Sequence, residues 1–471
     1  MPPRSRTRVF VFFVLLLVLA VVGGVSYLGW RQSVPGVRVV SALPRLVGHR
    51  AQTTLALQAT RGSIAGAEVR LVQGGKSTVL VKQEGPLGPR ADLPLTIESA
   101  ALGLHEGPAT LEVWARDDFW RPLKFRDRAA VSAPLTVDLT PPKVEIVAST
   151  QYLSPGGAGL VVYRVNGAAR ESVVLGGARF PGTPMGRPEQ GTRVALVALP
   201  FNWTSAMPLS VTAEDEAGNV TTRAIPAEIK PRRFPRDKIE VKDSFLQAKV
   251  PELLPQFPPG KPLIDGFLVI NRDQRKQAEE EKRRLGAKSA PTPLWQGAFE
   301  QPRNTKVFSN FAETRTYVYQ GHEIDTQVHY GYDLASTKQS PIPAANKGVV
   351  TFAGPLTIYG NTVILDHGLG LMTLYGHLSS IGVKPGDPVE KGQELGRSGS
   401  TGLAVGDHLH YEVLVHGISV TPLEWWDAKW IRDRISKPLK AAGLPEIAGA
   451  ESRDDEPKGD SPARSRRPRP R

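Results

Sequence analysis

The chain runs to 471 residues, more than one hydrophobic core ordinarily serves, and calls for roughly two to four domains. Its 40% hydrophobic and 22% charged residues exclude a disordered chain, while 46 glycines and 41 prolines favour short strands joined by turns. With no cysteine it has no disulfide, thiolate nucleophile or Cys-ligated zinc, so any metal site must use histidine and carboxylates. A net charge of +13 attracts polyanions such as anionic lipid or acidic wall polymers. No nucleic-acid-reading motif accompanies that charge, and nucleic acid is not expected as a partner.

Arg4, Arg6 and Arg8 precede Val9–Trp30, 22 residues without a charge, enough for a helix about 30 Å long. A cleaved signal peptide has a shorter apolar region, roughly 7–15 residues. Residues 1–30 therefore read as a basic cytoplasmic tip and a retained transmembrane signal anchor. The positive-inside rule then puts everything after Trp30 on the outer, periplasmic side of an inner membrane.

Residues 36–230 alternate apolar and polar between Gly, Pro and Asp turns, with almost no helical period. Leu111–Asp118 ("LEVWARDD") and Leu209–Glu216 ("LSVTAEDE") share Leu-x-Val-x-Ala-x-Asp at an offset of 98 residues, close to the ~100-residue span of an Ig-type sandwich. Two Ig-like β-sandwiches follow, at 36–140 and 141–230, divided by Pro141-Pro142; a single larger β-domain is the alternative. Residues 231–294 read as a basic, Pro-rich linker. It carries one charged segment, Asp273–Leu285 ("DQRKQAEEEKRRL"), whose mixed charges at i, i+4 and sparse apolar face predict a solvated helix.

Seven of the nine histidines lie between His322 and His416. In "VHYGYDLA" alternation puts His329, Gly331 and Asp333 on one face of an extended segment, with room at Gly331 for an ion or substrate to approach the backbone. A His/Asp pair offers a nitrogen and a charged oxygen suited to Zn²⁺. His367 ("LDHGLG") sits at a turn and reads as structural; His377 follows in "YGHLS". In "GDHLHYEVLVHG" alternation groups His408, His410 and Glu412 opposite Leu409, Tyr411 and Val413. Two imidazoles on one face are costly to bury without partners, so either nearby carbonyls satisfy them or they converge on a metal. Glu412 reads as an exposed strand residue, with support of a neighbouring ligand as the alternative. His322 and His416 lack motif partners and read as surface, and His49 and His105 lie in the β-modules. The tail, 431–471, reads as disordered and basic.

Taken together, "HYGYD", "YGHLS", "VKPGDPVEKGQELGRSGSTG" and "HLHYEV" closely resemble the lysostaphin-like, LytM-type zinc metallopeptidases over roughly Trp295–Trp426, within a domain spanning 295–430. The resemblance implies that His329, Asp333 and His410 ligate one Zn²⁺ per catalytic domain and that His377 and His408 act on the reaction beside it. No member of that set is missing. Two histidines and a carboxylate leave an open position for an activated water, which amide hydrolysis needs, and unligated histidines can move its proton or stabilise the oxyanion. The implied protein is a membrane-anchored zinc endopeptidase that cuts peptide cross-links of bacterial peptidoglycan. The competing reading is a catalytically silent scaffold or activator of other wall hydrolases, and the Ig-like modules could bind protein regulators. The expected fold class is mainly β: an N-terminal transmembrane helix, Ig-like β-sandwich modules, and an antiparallel β-sheet peptidase domain.

Overall fold

Strand-forming alternation dominates the chain, and the computed structural model, which describes residues 4–123 and 129–447, is accordingly mainly β. The exception at the start is a helix, Arg4–Ser33. From Arg8 onward it is long and apolar enough to cross a membrane, and its apolar side chains are exposed along the whole stretch, with Phe10 68% and Leu17 65% accessible.

The described residues form two compact units. The first comprises the chain up to Pro142 together with Gly167–Arg170 and Glu214–Thr221. It contains a three-stranded sheet centred on Arg50–Ala59 and a five-stranded sheet in which Gly107–Asp117 and Ile64–Gln73 are inner strands. Leu55, Leu57, Leu93 and Leu95 of one sheet share a core with Val69, Leu71, Leu111 and Val113 of the other. The second unit holds the remainder, including a four-stranded sheet built around Ala158–Asn166 and Thr192–Ala198.

Residues 231–294 are not a linker. Arg236–Glu240 adds a parallel strand to Glu313–Tyr319, and helices at Asp243–Leu253, Leu263–Val269 and Arg275–Gly286 follow. Their Leu246, Val250, Phe267, Ala278 and Leu285, with Ile270 from the turn between the last two helices, share one core with Tyr317, Tyr359, Ile364, Met372, Leu374 and Leu414. The charged helix is therefore not simply solvated: it buries Ala278, Lys282 and Leu285, a stripe at i, i+4, i+7. A lysine in the middle of that stripe disguises it in the sequence.

The tail assignment is also corrected at its start. Ile431, Ile435 and Leu439 are spaced by four and buried, and residues 428–441 are helical as far as Ala441. Residues 448–471 lie outside the described residues.

The site rests on an eight-stranded sheet. Its path runs from Lys306–Ser309 through Tyr332–Ala335, Leu409–Val415, Leu371–Leu378, Asn361–Gly368 and Gly348–Pro355 to Pro388–Val389, with Ile418–Val420 pairing on Leu409–Val415. All of these pairings are antiparallel. Leu409–Val415 and Leu371–Leu378 are buried at every position, as central strands covered on both faces must be.

Within the same unit, Glu424 of the short helix Pro422–Trp426 accepts hydrogen bonds from Ala158 N at 2.8 Å and Arg232 Nη2 at 3.4 Å. Gly157 makes room for it, since a Cβ there would stand 2.5 Å from a Glu424 oxygen. Burial pushes this carboxyl from 4.5 up to about 7. Between those values the folded state keeps a proton that the unfolded chain has released, so stability falls as pH rises through that window, by roughly 3 kcal/mol in all. Thermal unfolding at pH 5 and pH 8 should show wild type losing more stability with rising pH than Glu424→Gln; equal losses would contradict the shift.

Candidate functional site

His329 closes the strand His322–His329, which belongs to a separate three-stranded sheet, whereas Asp333 lies in Tyr332–Ala335 of the eight-stranded sheet. The chain passes from one sheet to the other at Tyr330-Gly331. The pair is thus brought together by a sheet junction and not by alternation along one strand. Asp333 faces His410 directly across the antiparallel pair with Leu409–Val415, where side chains on one face are neighbours. Gly331 is needed for a different reason from the one its spacing suggests. A Cβ there would lie 2.7 Å from His410 Nε2 and 2.5 Å from the Tyr411 carbonyl, so the glycine admits the His410 ring.

Three atoms converge: His329 Nε2 is 3.0 Å from Asp333 Oδ1 and 3.0 Å from His410 Nδ1, and His410 Nδ1 is 2.9 Å from Asp333 Oδ1. What lies behind them decides their character. His329 Nδ1 donates to the Asn310 carbonyl at 2.9 Å, which turns the Nε2 lone pair inward. His410 Nε2 donates to Glu412 Oε1 at 2.9 Å, which turns Nδ1 inward. Asp333 spends its other oxygen on Arg315 Nη2 at 3.0 Å, while Arg315 Nε reaches Glu313 at 3.0 Å. With both rings neutral, two imidazole nitrogens and a carboxylate oxygen would face one another with no proton between them, a set that a cation satisfies; Asp333 and Glu412 also raise the His410 pKa against its burial, so a proton on that ring answers the same negative charge. Ligand atoms on a tetrahedral zinc stand roughly 3.3 Å apart, a little wider than this triangle. The donor set and its backing therefore fit a zinc ion.

All three residues are buried. Burial lowers the His329 imidazole pKa against the pull of Asp333, which favours the neutral form a ligand needs. Burial alone would raise the Asp333 carboxyl, but the surrounding histidines hold it well below the usual carboxylate range.

His377 and His408 stand beside this triangle with ring centroids 4.8 Å apart. Each is pinned through Nδ1 to a backbone carbonyl, His377 to Thr401 at 2.8 Å and His408 to Gly406 at 2.7 Å. In the neutral form of each ring Nε2 is then the lone-pair nitrogen, and that of His408 is 3.6 Å from Asp333 Oδ1. Burial, with His408 and His410 nearby, keeps the His377 pKa well below the ordinary value. His377 also adopts φ of 63°, in the left-handed region that a β-strand residue rarely visits. A groove of about 720 Å³ opens at these residues, its lining including Phe245, Lys249, Phe308, Arg315 and Val405.

The remaining histidines separate cleanly. His367 is buried in the sheet, bonded to the Lys347 carbonyl at 2.7 Å and the Thr373 hydroxyl at 2.8 Å, with burial pushing it down to about 4. His322 is exposed. His416 is not a surface residue: it is half-buried beside Phe180, ring centroids 5.9 Å apart, and burial lowers it to about 4. Glu412, expected to be exposed, is wholly buried and holds His410. Sequence reading missed Arg315, Asn310 and Tyr359. The first two carry no local signal, since only folding brings their strand and loop behind Asp333 and His329; Tyr359, in the short turn Thr357–Tyr359, carries none either, its partner Glu412 lying 53 positions away.

Residues 327–422 match peptidase family M23. The chain carries a family M23 domain. Over 97 residues it is 41% identical to the DD-carboxypeptidase/endopeptidase Mpg of Neisseria meningitidis serogroup B, covering 21% of this chain and 22% of that protein. Over 121 residues it is 38% identical to the peptidoglycan DD-endopeptidase ShyA of Vibrio cholerae, covering 25% and 27%. Among solved structures, the catalytic domain of lysostaphin from Staphylococcus simulans is similar at 29% identity and a TM-score of 0.23, over 26% of this chain and 92% of that one. The chain thus spans about a quarter of the length of the curated relatives it matches.

Alanine at His329, Asp333 or His410 should strip the protein of zinc measured by atomic emission, and Gly331→Ala should do the same by displacing the His410 ring. His377→Ala and His408→Ala should keep their metal. Wild-type zinc content in His410→Ala would refute the ligand set.

Proposed function

We propose that this protein is a zinc-dependent endopeptidase that hydrolyses an amide bond in the peptide part of peptidoglycan, working from an N-terminal membrane anchor in the cell envelope. The observation that carries the reading is the inward-facing set of His329, Asp333 and His410 with two further Nε2 atoms beside it, inside a family M23 domain. The relatives named as DD-endopeptidases support the substrate class.

His329, Asp333 and His410 would hold the zinc, which when bound supplies an acidified water and polarises a carbonyl. The chain's own residues do the rest. The Nε2 of His408 or His377, each fixed by its backbone carbonyl, accepts the proton of the attacking water. As the imidazolium it then donates to the developing oxyanion or to the departing amine. Arg315 keeps Asp333 presenting one oxygen. Neither nitrogen needs to reorient, because Nδ1 of each is already committed. Hydrolysis of a sugar linkage would call for a pair of carboxylates flanking the bond. At the histidine set the carboxylates are Asp333, tied to Arg315, and Glu412, tied to Tyr359 and Ser419; of the others lining the groove, Asp407 accepts from Ser398 Oγ and Gln339 N, which leaves Glu240 without a second free carboxylate beside it.

Digestion of purified sacculi by the zinc-loaded protein should release new amino groups and separated cross-linked peptides without new reducing ends. His408→Ala and His377→Ala should lower turnover about 10²- to 10⁴-fold while retaining metal. New reducing ends would exclude an amidohydrolase, and intact sacculi would favour a scaffold or activator. In spheroplasts, the full-length protein should fractionate with membrane through Val9–Trp30; a soluble form beginning shortly after residue 24 would show a cleaved signal instead.

A further inference from the structure

The helix Arg275–Gly286 lies outside residues 327–422, yet one of its side chains reaches the back of the site. Lys282 is completely buried, and its Nζ stands 2.9 Å from Glu412 Oε2, 3.1 Å from the Tyr359 hydroxyl and 3.2 Å from Ser419 Oγ, with Glu279 as a further carboxylate partner. Glu412 is completely buried too. Its Oε2 accepts from Lys282 and from Ser419 Oγ at 2.7 Å, and its Oε1 accepts from the Tyr359 hydroxyl at 2.6 Å and from His410 Nε2 at 2.9 Å. Both oxygens are thus fully committed, and only the imidazole belongs to the proposed ligand set.

The docking of the helix is built in. A Cβ on Gly286 would meet Gly417 N and the His416 carbonyl carbon at 2.5 Å, and a Cβ on Gly417, whose φ is +77°, would meet Arg283 Cα at 2.5 Å. Two glycines let helix and turn touch backbone to backbone, which sets the depth of Lys282. A buried ammonium is costly unless paired and hydrogen-bonded. Here it has carboxylates on two sides and two hydroxyls.

We propose that Lys282 is a positioning residue of the metal centre: by anchoring Glu412 it fixes the orientation and tautomer of His410, and so sets how tightly the site holds zinc. The inference rests on reading His329, Asp333 and His410 as ligands. The physical reason is leverage. With Oε2 tied to an immobile ammonium, Oε1 stays aimed at His410 Nε2; without that tie the carboxylate can rotate and the imidazole loses its directional acceptor. Partners behind a ligating histidine typically govern metal affinity by about 10- to 100-fold.

The test is zinc affinity of the full-length protein in detergent, measured by competition with a chelating dye, with the visible spectrum of the cobalt-substituted protein as a second readout of ligand geometry. Lys282→Met should weaken zinc about 10- to 100-fold and shift the cobalt bands. Lys282→Arg, which keeps the charge, should recover part of the affinity. Lys276→Ala, on the exposed side of the same helix, should match wild type.

Removing one member of a buried pair can prevent folding, so the neutral pair Lys282→Met with Glu412→Gln is measured as well. It should fold and bind zinc as weakly as Glu412→Gln alone, because Lys282 acts only through Glu412. Wild-type affinity and spectrum in folded Lys282→Met, or in the double variant, would overturn the inference. Zinc binding without cleavage of sacculi would remove the proposed reaction and leave this inference standing. Failure of the wild type to bind zinc would overturn the ligand reading on which it rests.

Discussion

Three electron-pair donors face one another about 3 Å apart at the junction of two sheets, and the surrounding structure holds them there. Each is pinned from behind by a group that leaves it no alternative: the Asn310 carbonyl behind His329, Arg315 behind Asp333, and Glu412 behind His410. Isolated in water, any of these side chains would turn to solvent. In a buried site with fixed partners the repulsion persists until a metal ion or a proton neutralises it. The three converging atoms come from three strands, and a sheet junction is what lets the chain present His329 and Asp333 from different sheets only four residues apart.

The same pinning extends to the groups that would handle protons. His377 and His408 both direct Nδ1 to carbonyls of the loop between Arg397 and Leu409. That loop is itself fastened from the N-terminal side of the domain. Lys249 Nζ donates to the Ser400 carbonyl at 2.7 Å, and Glu252 accepts from Gly402 N at 2.9 Å, flanking the Thr401 carbonyl that holds His377. The helix Asp243–Leu253 therefore does two things at once: it walls the groove and it steadies the backbone behind a proposed proton carrier. Arg275–Gly286 does the equivalent for His410 through Lys282 and Glu412. Residues 236–286 are thus mechanical parts of the site, although they lie outside the family match.

Much of the site was legible in the sequence because its residues carry chemistry in themselves. Clustered histidines and an aspartate four residues from one of them can be recognised before folding, although the strand alternation read between His329 and Asp333 is not what joins them. Alternation did place His410 and Glu412 on one face correctly. Reading fails where a residue's meaning depends on what covers it. Glu412 is indistinguishable in sequence from an exposed strand glutamate, and His416 from a surface histidine. Ala278, Lys282 and Leu285 form a helical stripe that a lysine conceals. Ile431, Ile435 and Leu439 are too few to stand out against the basic tail that follows them.

The sequence by itself therefore determined the inventory: a long uncharged N-terminal helix, strand-rich modules, and a set of histidines and an aspartate able to bind a metal. Local periodicity and side-chain chemistry suffice for that, since both are properties of neighbouring residues. Only the tertiary structure decided which lone pairs face inward, that Asp333 presents a single oxygen, and that a lysine from a distant helix stands behind His410. Those outcomes depend on directional hydrogen bonds between residues far apart in the chain, such as the 130 positions separating Lys282 from Glu412, and on burial that gives those bonds their strength.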